Sequence, residues 1–277
     1  MIKIYDKEII QHDYDEISLI NNDINIMRLI NHKYCLKLYE ILESPSYIFL
    51  VMEYFSGVKL IDYVNRKKKL TEDESLNIYK QIISLIIYFQ NMKIAHLNIT
   101  PENILIDNNN NIKLCDFKYS LCYSSNEKII CSNTGNHNYL CPELLYNNTC
   151  FPEYADIWSS GVLLYFLIVG NLPFKGINNY DIQKKIMGAE FALPLNVSKN
   201  MQDFFKNNFE PKIDERYNLE KIMNSSLFKE KKITLTNLQK GFNILSTKYP
   251  IDERVIEICK THFDINAENL KQKLSKK

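Results

Sequence analysis

The residues best suited to chemistry lie in two short polar stretches that flank a pair of apolar runs. The first stretch runs from His96 to Asn103, and the second begins at Asp116. Asn103 and Asp116 offer the hard oxygen ligands that magnesium prefers in proteins. Asn98 can orient a hydroxyl group, but its amide cannot accept a proton near neutral pH. The pattern indicates polar chemistry beside a cation, and the simpler alternative for Asp116 is a turn residue at a strand end.

Composition excludes several other classes of function. Seven cysteines and five histidines occur without the pairs typical of zinc sites, so we expect reduced thiols. The net charge of +1 predicts no nucleic-acid partner. Residues 1–14 are too polar for a signal peptide, and the apolar run Val162–Val169 is too short to cross a bilayer. The sequence therefore predicts a soluble cytoplasmic or nuclear protein with no membrane partner.

The elements that must position the polar stretches are strands first and mostly helices afterwards. Predicted strands cover Ile2–Ile10, Leu36–Leu42 and Ser46–Glu53, and Asn103–Asp107 with Ile112–Asp116 form a predicted hairpin; predicted helices cover Asp15–Ile30, a segment capped by Thr71 and Glu74, and Asp156–Val169. This order predicts an α+β fold of two lobes with a cleft between them.

The polar stretches resemble two motifs of eukaryotic protein kinases. The first is similar to the catalytic loop H-R-D-L-K-P-E-N, and Asp116-Phe-Lys118 is similar to the metal-binding motif D-F-G. Residues 135–143 resemble the end of an activation segment, and residues 156–161 resemble D-x-W-x-x-G. The resemblance implies that Asp156 anchors the large lobe and that Arg216 pairs with Glu143.

Residues 51–57 resemble the hinge between the two kinase lobes. The resemblance implies that Met52 is the gatekeeper and that Glu53 and Phe55 lie beside the nucleotide. The residues of these motifs are most similar to those of the AMP-activated and calmodulin-dependent branch of serine/threonine kinases. The implied organisation is a truncated N-terminal β lobe (1–54), a helical C-terminal lobe (55–228), a linker (229–249) and a module resembling a ubiquitin-associated domain (250–277). A generic amphipathic tail is the alternative for that module.

The resemblance implies ATP and Mg²⁺ as cofactors, with Asn103 and Asp116 as metal ligands. Lys3 would contact the α- and β-phosphates, and Asp23 would be its helix partner, one methylene shorter than the usual glutamate. Lys3 could instead be a frayed terminal residue. No G-x-G-x-x-G loop occurs before Lys3 in the sequence. We expect either that the gene starts here or that the start codon is misplaced. Nucleotide binding is therefore expected to be weak or absent.

Several positions that the resemblance assigns to catalysis carry altered residues. Asn98 occupies the position of the catalytic base, Thr100 that of its helper lysine, and Asn136 that of the third member of the cluster. Loss of a general base lowers a rate by about 10²–10⁴-fold. Lys118 replaces the D-F-G glycine, which reduces backbone freedom.

Regulation and substrate choice are expected to differ as well. Leu97 replaces the arginine that reads a phosphorylated activation loop, so phosphorylation at Ser132 or Thr134 would lack its cationic partner. Lys59 reverses a charge that favours basic peptides, unless it is simply an exposed lysine. His96 is expected to be structural. The leading hypothesis is a pseudokinase that binds a protein partner, such as another kinase or a regulatory subunit. The alternative is an active serine/threonine kinase that transfers the γ-phosphate of ATP to proteins.

Overall fold

The computed structural model describes residues 1–124, 128–131 and 135–230, and it confirms the predicted α+β fold. The N-terminal lobe has a three-stranded antiparallel sheet in the order β1-β3-β2. Its elements are β1 (Ile2–Asp6), α1 (Lys7–Ile10), α2 (Tyr14–Leu29), β2 (Leu38–Glu43) and β3 (Tyr47–Met52). The central strand β3 is the most buried, with Phe49 and Leu50 fully covered.

The prediction of one strand over Ile2–Ile10 was wrong beyond Asp6. The side chain of Asp6 accepts a hydrogen bond from the backbone N–H of Glu8, and α1 begins at Lys7. An aspartate that satisfies a free N–H at a helix start favours a turn into helix over continued strand. β1 nevertheless pairs with β3 from Ile2 to Asp6, which places Lys3 opposite Leu50.

The C-terminal lobe is mostly helical and carries short strands near the cleft. Its first elements are β4 (Val58–Lys59), α3 (Leu60–Lys67), α4 (Glu72–Met92), β5 (Ile94–Ala95), a 3₁₀ turn (Pro101–Asn103), β6 (Ile104–Ile106), β7 (Ile112–Leu114) and β8 (Leu121–Cys122). The predicted hairpin is present as the antiparallel pair β6–β7. The predicted capping box at Thr71 and Glu74 opens α4.

The remaining elements of the described chain form the base of this lobe. They are β9 (Ile129–Ile130), a 3₁₀ turn (His137–Tyr139), α5 (Pro142–Asn147), β10 (Thr149–Cys150), α6 (Pro152–Val169), α7 (Asn179–Met187), α8 (Lys199–Asn208), α9 (Leu219–Asn224) and α10 (Ser226–Glu230). α6 is buried on nearly every side, as its apolar sequence predicts. Proline at its first position and Gly170 with φ 76° just past its end are typical helix boundaries.

Two sequence expectations concern the whole chain. Within the residues that the structure describes, no helix combines the length and apolar character needed to cross a bilayer. The six cysteines in that part are free thiols.

The last described helix bears on the predicted linker. α10 extends to Glu230, inside the predicted linker 229–249. The rest of that linker and the predicted module 250–277 lie outside the described residues.

Candidate active site

The loop that begins at His96 is fixed from below by a carboxylate of α6. Asp156 accepts the backbone N–H of His96 at 2.7 Å and that of Leu97 at 2.8 Å. Burial raises the pKa of Asp156 to about 6, and the two N–H donors oppose that shift. Leu97 is buried with φ 59°, in the left-handed region. The buried helix α6 therefore sets the backbone path of the loop.

His96 lies inside this loop and faces the protein interior. Its ring lies 4.9 Å from that of Phe117 and 6.2 Å from that of Phe89, measured between centroids. Burial lowers its pKa to about 4, so the imidazole is neutral at physiological pH. Its Nδ1 accepts the N–H of Asn98 at 3.3 Å, and its carbonyl accepts the hydroxyl of Ser120 at 3.2 Å. A buried, neutral imidazole that packs against two aromatic rings suits a structural role.

Asn98 occupies the position that the resemblance gives to the catalytic base. Its side-chain Oδ1 accepts the backbone N–H of Asn136 at 3.2 Å. Gly135 lies against the same amide, and a Cβ atom at Gly135 would overlap it. The side chain of Asn136 turns away and accepts the N–H of Asn138 at 3.1 Å. The structure thus joins Asn98 to the activation segment through the backbone, not through the side chain of Asn136.

Thr100 and Asn103 follow on the same loop. Thr100 is 2% exposed and brings no positive charge to the position of the helper lysine. Asn103 donates its Nδ2 to the carbonyl of Asn98 at 3.1 Å, which directs its Oδ1 elsewhere. The carbonyl of Asn103 accepts both the N–H of Cys115, at 2.9 Å, and its thiol, at 3.2 Å. These bonds bring the loop directly beside the residue that precedes Asp116.

Asp116 has the properties expected of a metal ligand. Its Oδ1 is buried and has no hydrogen-bond partner among the described residues, although buried polar atoms normally find one. Its backbone has φ 67°, which is unusual for a residue other than glycine. Asp116 and Asn103 fit magnesium, which takes few protein oxygens and keeps water and phosphate ligands. A bound magnesium ion would neutralise charge on the phosphates.

Lys3 on β1 and Asp23 on α2 are in contact within the N-terminal lobe. Lys3 Nζ lies 3.2 Å from Oδ2 of Asp23, whose side chain is almost fully buried. Burial disfavours the ammonium group, but the surrounding acidic groups, Asp23 first, outweigh it and raise the pKa of Lys3. Oδ1 of Asp23 accepts the backbone N–H of Phe117 at 2.7 Å. The shorter carboxylate therefore bridges the lysine strand and the Asp116-Phe-Lys118 motif.

Three further residues link α2 to the segment that follows Asp116, and sequence reasoning missed these links. Asn22 Nδ2 lies 3.3, 2.8 and 2.6 Å from the carbonyl oxygens of Phe117, Lys118 and Ser120. Lys118 Nζ lies 2.6 Å from Oε1 of Glu16. The only sequence signal was a lysine in place of the D-F-G glycine. It was interpreted as a loss of backbone freedom and not as a new ion pair.

The predicted hinge residues have mixed surroundings. Met52 is buried and exchanges backbone hydrogen bonds with Met1 at 2.8 and 2.9 Å. The Glu53 carboxylate pairs with Lys113 at 2.7 Å and accepts the N–H of Lys37 at 3.3 Å. Its side chain is therefore committed to structure. Phe55 is partly buried against the hydrophobic core.

Glu143 and Arg216 form an ion pair in the base of the large lobe. The Arg216 guanidinium is fully buried and donates to both carboxylate oxygens of Glu143, at 2.8 and 3.0 Å. It lies 4.8 Å from the ring centre of Trp158 on α6. Parallel bonds of this kind fix the orientation of the two side chains as well as pairing their charges.

Three other predicted residues lie away from this pair or outside the described chain. Lys59 is exposed before α3. Ser132 and Thr134 lie outside the described residues.

Known proteins resemble this chain over most of its length. The protein kinase domain model matches residues 1–228. The maternal embryonic leucine zipper kinases of Xenopus tropicalis and Xenopus laevis are each 37% identical over 196 residues, which is 70% of this chain. The chain spans only 29% of the length of these curated relatives. This chain belongs to the protein kinase domain family.

Proposed function

We propose that this chain is a catalytically impaired serine/threonine kinase, a pseudokinase that works by binding a protein partner. The observation that carries the proposal is the environment of Asn98. Its oxygen already accepts the N–H of Asn136, and an amide cannot take the proton of a substrate hydroxyl. Loss of a general base lowers a rate by about 10²–10⁴-fold.

The second support is the missing charge at Thr100. Protein kinases in general stabilise the transferring phosphoryl group by positive charge and positioning. Thr100 is buried and neutral, so it supplies none of that charge. The transferring group would therefore lack one nearby positive charge, which adds to the loss at Asn98.

Nucleotide binding is proposed to persist in a weak form. Protein kinase domains in general bind ATP with magnesium. The contact of Lys3 with Asp23 and the unpartnered oxygen of Asp116 support such a site. The lobe boundary near residue 54 is also proposed, since β3 ends at Met52 and the chain then has no regular structure until β4 begins at Val58.

The test is transfer of the γ-phosphate from Mg-ATP by the purified chain to a generic protein substrate. We expect wild type to match Asp116→Asn, a blank chosen because asparagine tolerates the left-handed backbone at 116. Asn98→Asp keeps one oxygen for the N–H of Asn136 and supplies a second as base. It should raise turnover above the blank. Asn171→Asp, an exposed change of the same charge, should not.

An active serine/threonine kinase is the second candidate. It is favoured by the assembled contact of Lys3 with Asp23 and Phe117. Wild-type turnover that Asp116→Asn abolishes would establish this candidate and reject the pseudokinase. Turnover that survives Asp116→Asn would point to a contaminating kinase and call for a repeat with separately prepared protein.

A further inference from the structure

Helix α2 is tied to the segment after Asp116 by more than its acidic residue. Glu16 and Asp23 are seven residues apart, so they lie on the same face two turns from each other. Glu16 binds Lys118, Asp23 binds the N–H of Phe117, and Asn22 lies within hydrogen-bond distance of three carbonyl groups between residues 117 and 120. The helix and the segment are therefore joined through three residues of the helix.

A short carboxylate needs such support. Asp23 has one methylene less than glutamate, so its reach is shorter by about one C–C bond, roughly 1.5 Å. It nevertheless touches Lys3 at 3.2 Å and Phe117 N–H at 2.7 Å together. Both contacts require α2 to lie close to β1 and to the segment at once. Asp23 alone cannot hold the helix there, because a small outward shift would break both bonds.

We propose that Asn22 and the ion pair of Glu16 with Lys118 act as a clamp that holds α2 inward and lets the short Asp23 bridge Lys3 and Phe117. Asn22, Glu16 and Lys118 are thus positioning residues for the phosphate-binding lysine. A glycine at position 118 could not reach Glu16.

The surroundings of the clamp favour an energetic coupling between α2 and the segment that follows Asp116. The side chains of Lys118 and Glu16 are 19% and 35% exposed, so water screens their 2.6 Å contact less than it screens a surface pair. The Asn22 amide has two N–H groups for three carbonyls, and the contacts to Lys118 and Ser120 are the shorter ones. Loss of Asn22 would leave these carbonyl groups without that donor. The clamp needs no phosphate group to form.

The direct test is hydrogen exchange of the Phe117 amide, whose acceptor is Asp23, measured without nucleotide. Each hydrogen bond lost from the clamp should speed exchange about 3- to 10-fold. We expect this in Asn22→Ala and in Lys118→Met, which keeps the apolar stem of the lysine. Asn21→Ala, an exposed change on the same helix, should leave Phe117 protected. Alanine favours helix over asparagine, so weaker helix formation cannot explain faster exchange.

Rescue separates positioning from simple packing. Adding Asp23→Glu to Asn22→Ala should return Phe117 protection to within about threefold of wild type, since the longer acid reaches from a displaced helix. Exchange of the α6 amides shows whether each variant is folded. If Asn22→Ala is not folded, Lys118→Met replaces it in the test. Unchanged protection in Asn22→Ala/Lys118→Met would overturn the proposal, as would a loss that Asp23→Glu does not restore. The clamp itself does not depend on the proposed nucleotide site; only its effect on phosphate binding by Lys3 rests on that site. Failed nucleotide binding would therefore leave the exchange result unaffected.

Discussion

The side-chain oxygen of Asn98 accepts the backbone N–H of Asn136 at 3.2 Å, and this bond joins the catalytic loop to the end of the activation segment. Asn98 is only 8% exposed, so little water is available to replace the bond. The position proposed for the catalytic base therefore also carries a structural contact. Aspartate can keep that contact, and a side chain without an acceptor cannot.

Asn98→Ala should therefore destabilise the protein more than Asn98→Asp. Alanine removes the acceptor of the Asn136 N–H, and loss of this hydrogen bond costs about 0.5–1.5 kcal/mol in the free energy of unfolding. Aspartate keeps an acceptor, so its free energy of unfolding should stay closer to that of wild type. Urea unfolding followed by circular dichroism measures both. Equal stability of the two variants would show that the bond to Asn136 contributes nothing.

Removal of Glu143 should have one of the largest effects on stability in the large lobe. Glu143→Ala leaves the fully buried guanidinium of Arg216 without its carboxylate, which costs about 3–5 kcal/mol. Glu215→Ala breaks an exposed pair with Lys212 and should cost at most about 1 kcal/mol. Chemical denaturation of both variants gives the comparison. A similar small loss in both would mean that Glu210, Pro211 and Trp158 hold Arg216 unaided.

Acidification should destabilise the fold below about pH 6.5. Burial lowers the pKa of His32 and of His96 from 6.5 to about 4. Their contribution to the free energy of unfolding is therefore fully present above pH 6.5 and declines as the pH falls toward 4. Asp156 acts oppositely, because its pKa is raised to about 6 and its contribution grows below that pH. Two histidines outweigh one carboxyl group. The free energy of unfolding at pH 7.5, 6.5 and 5.5, values chosen to span about two units, measures the net slope.

His32→Gln removes one of the two groups responsible and should flatten that slope. The exposed His12→Gln should leave it unchanged. A stability that rises on acidification from pH 6.5 would instead assign the dominant effect to Asp156.

Lys3 should govern any nucleotide binding that remains. At a Mg-ADP concentration of about ten times the dissociation constant, binding stabilises the wild-type chain by about 1.4 kcal/mol. Lys3→Met should abolish the resulting rise in melting temperature, because Lys3 is the cation that Asp23 holds in the cleft. Lys7→Met removes the contacts of Lys7 with Glu43 and with the carbonyl of Ser44, and neither contact involves Asp23, so this variant should keep the rise. Equal responses in the two variants would remove Lys3 from the site.

The fold was largely predictable because its signals are local. Apolar periodicity located α2 and α6, and the capping box of Thr71 and Glu74 marked the start of α4. The first strand was predicted too long because the local cap formed by Asp6 was overlooked. Motif spacing predicts the residues of the candidate site, and their roles stay predictions.

The contacts that the sequence did not reveal all join distant segments. Asn22 and Ser120, Glu53 and Lys113, and Asn98 and Asn136 are examples. Each depends on how two elements are placed in space, and no local pattern records that placement. The Lys118 substitution was visible, but its partner Glu16 became apparent only once α2 lay beside it.

Asp116 and Leu97 both have a left-handed backbone, which disfavours folding. Only at Asp116 does this cost fall on a residue proposed to bind a ligand. Both residues are held at positive φ, a conformation that costs roughly 1–2 kcal/mol for most side chains. At Leu97 the buried side chain offsets this strain, so a laboratory selection for thermal resistance should retain leucine. At Asp116 the carboxylate Oδ1 has no hydrogen-bond partner in the described chain, and glycine would relieve the backbone. Such a selection would tend to discard the acidic ligand first, and libraries that aim to keep the cleft functional should hold position 116 fixed.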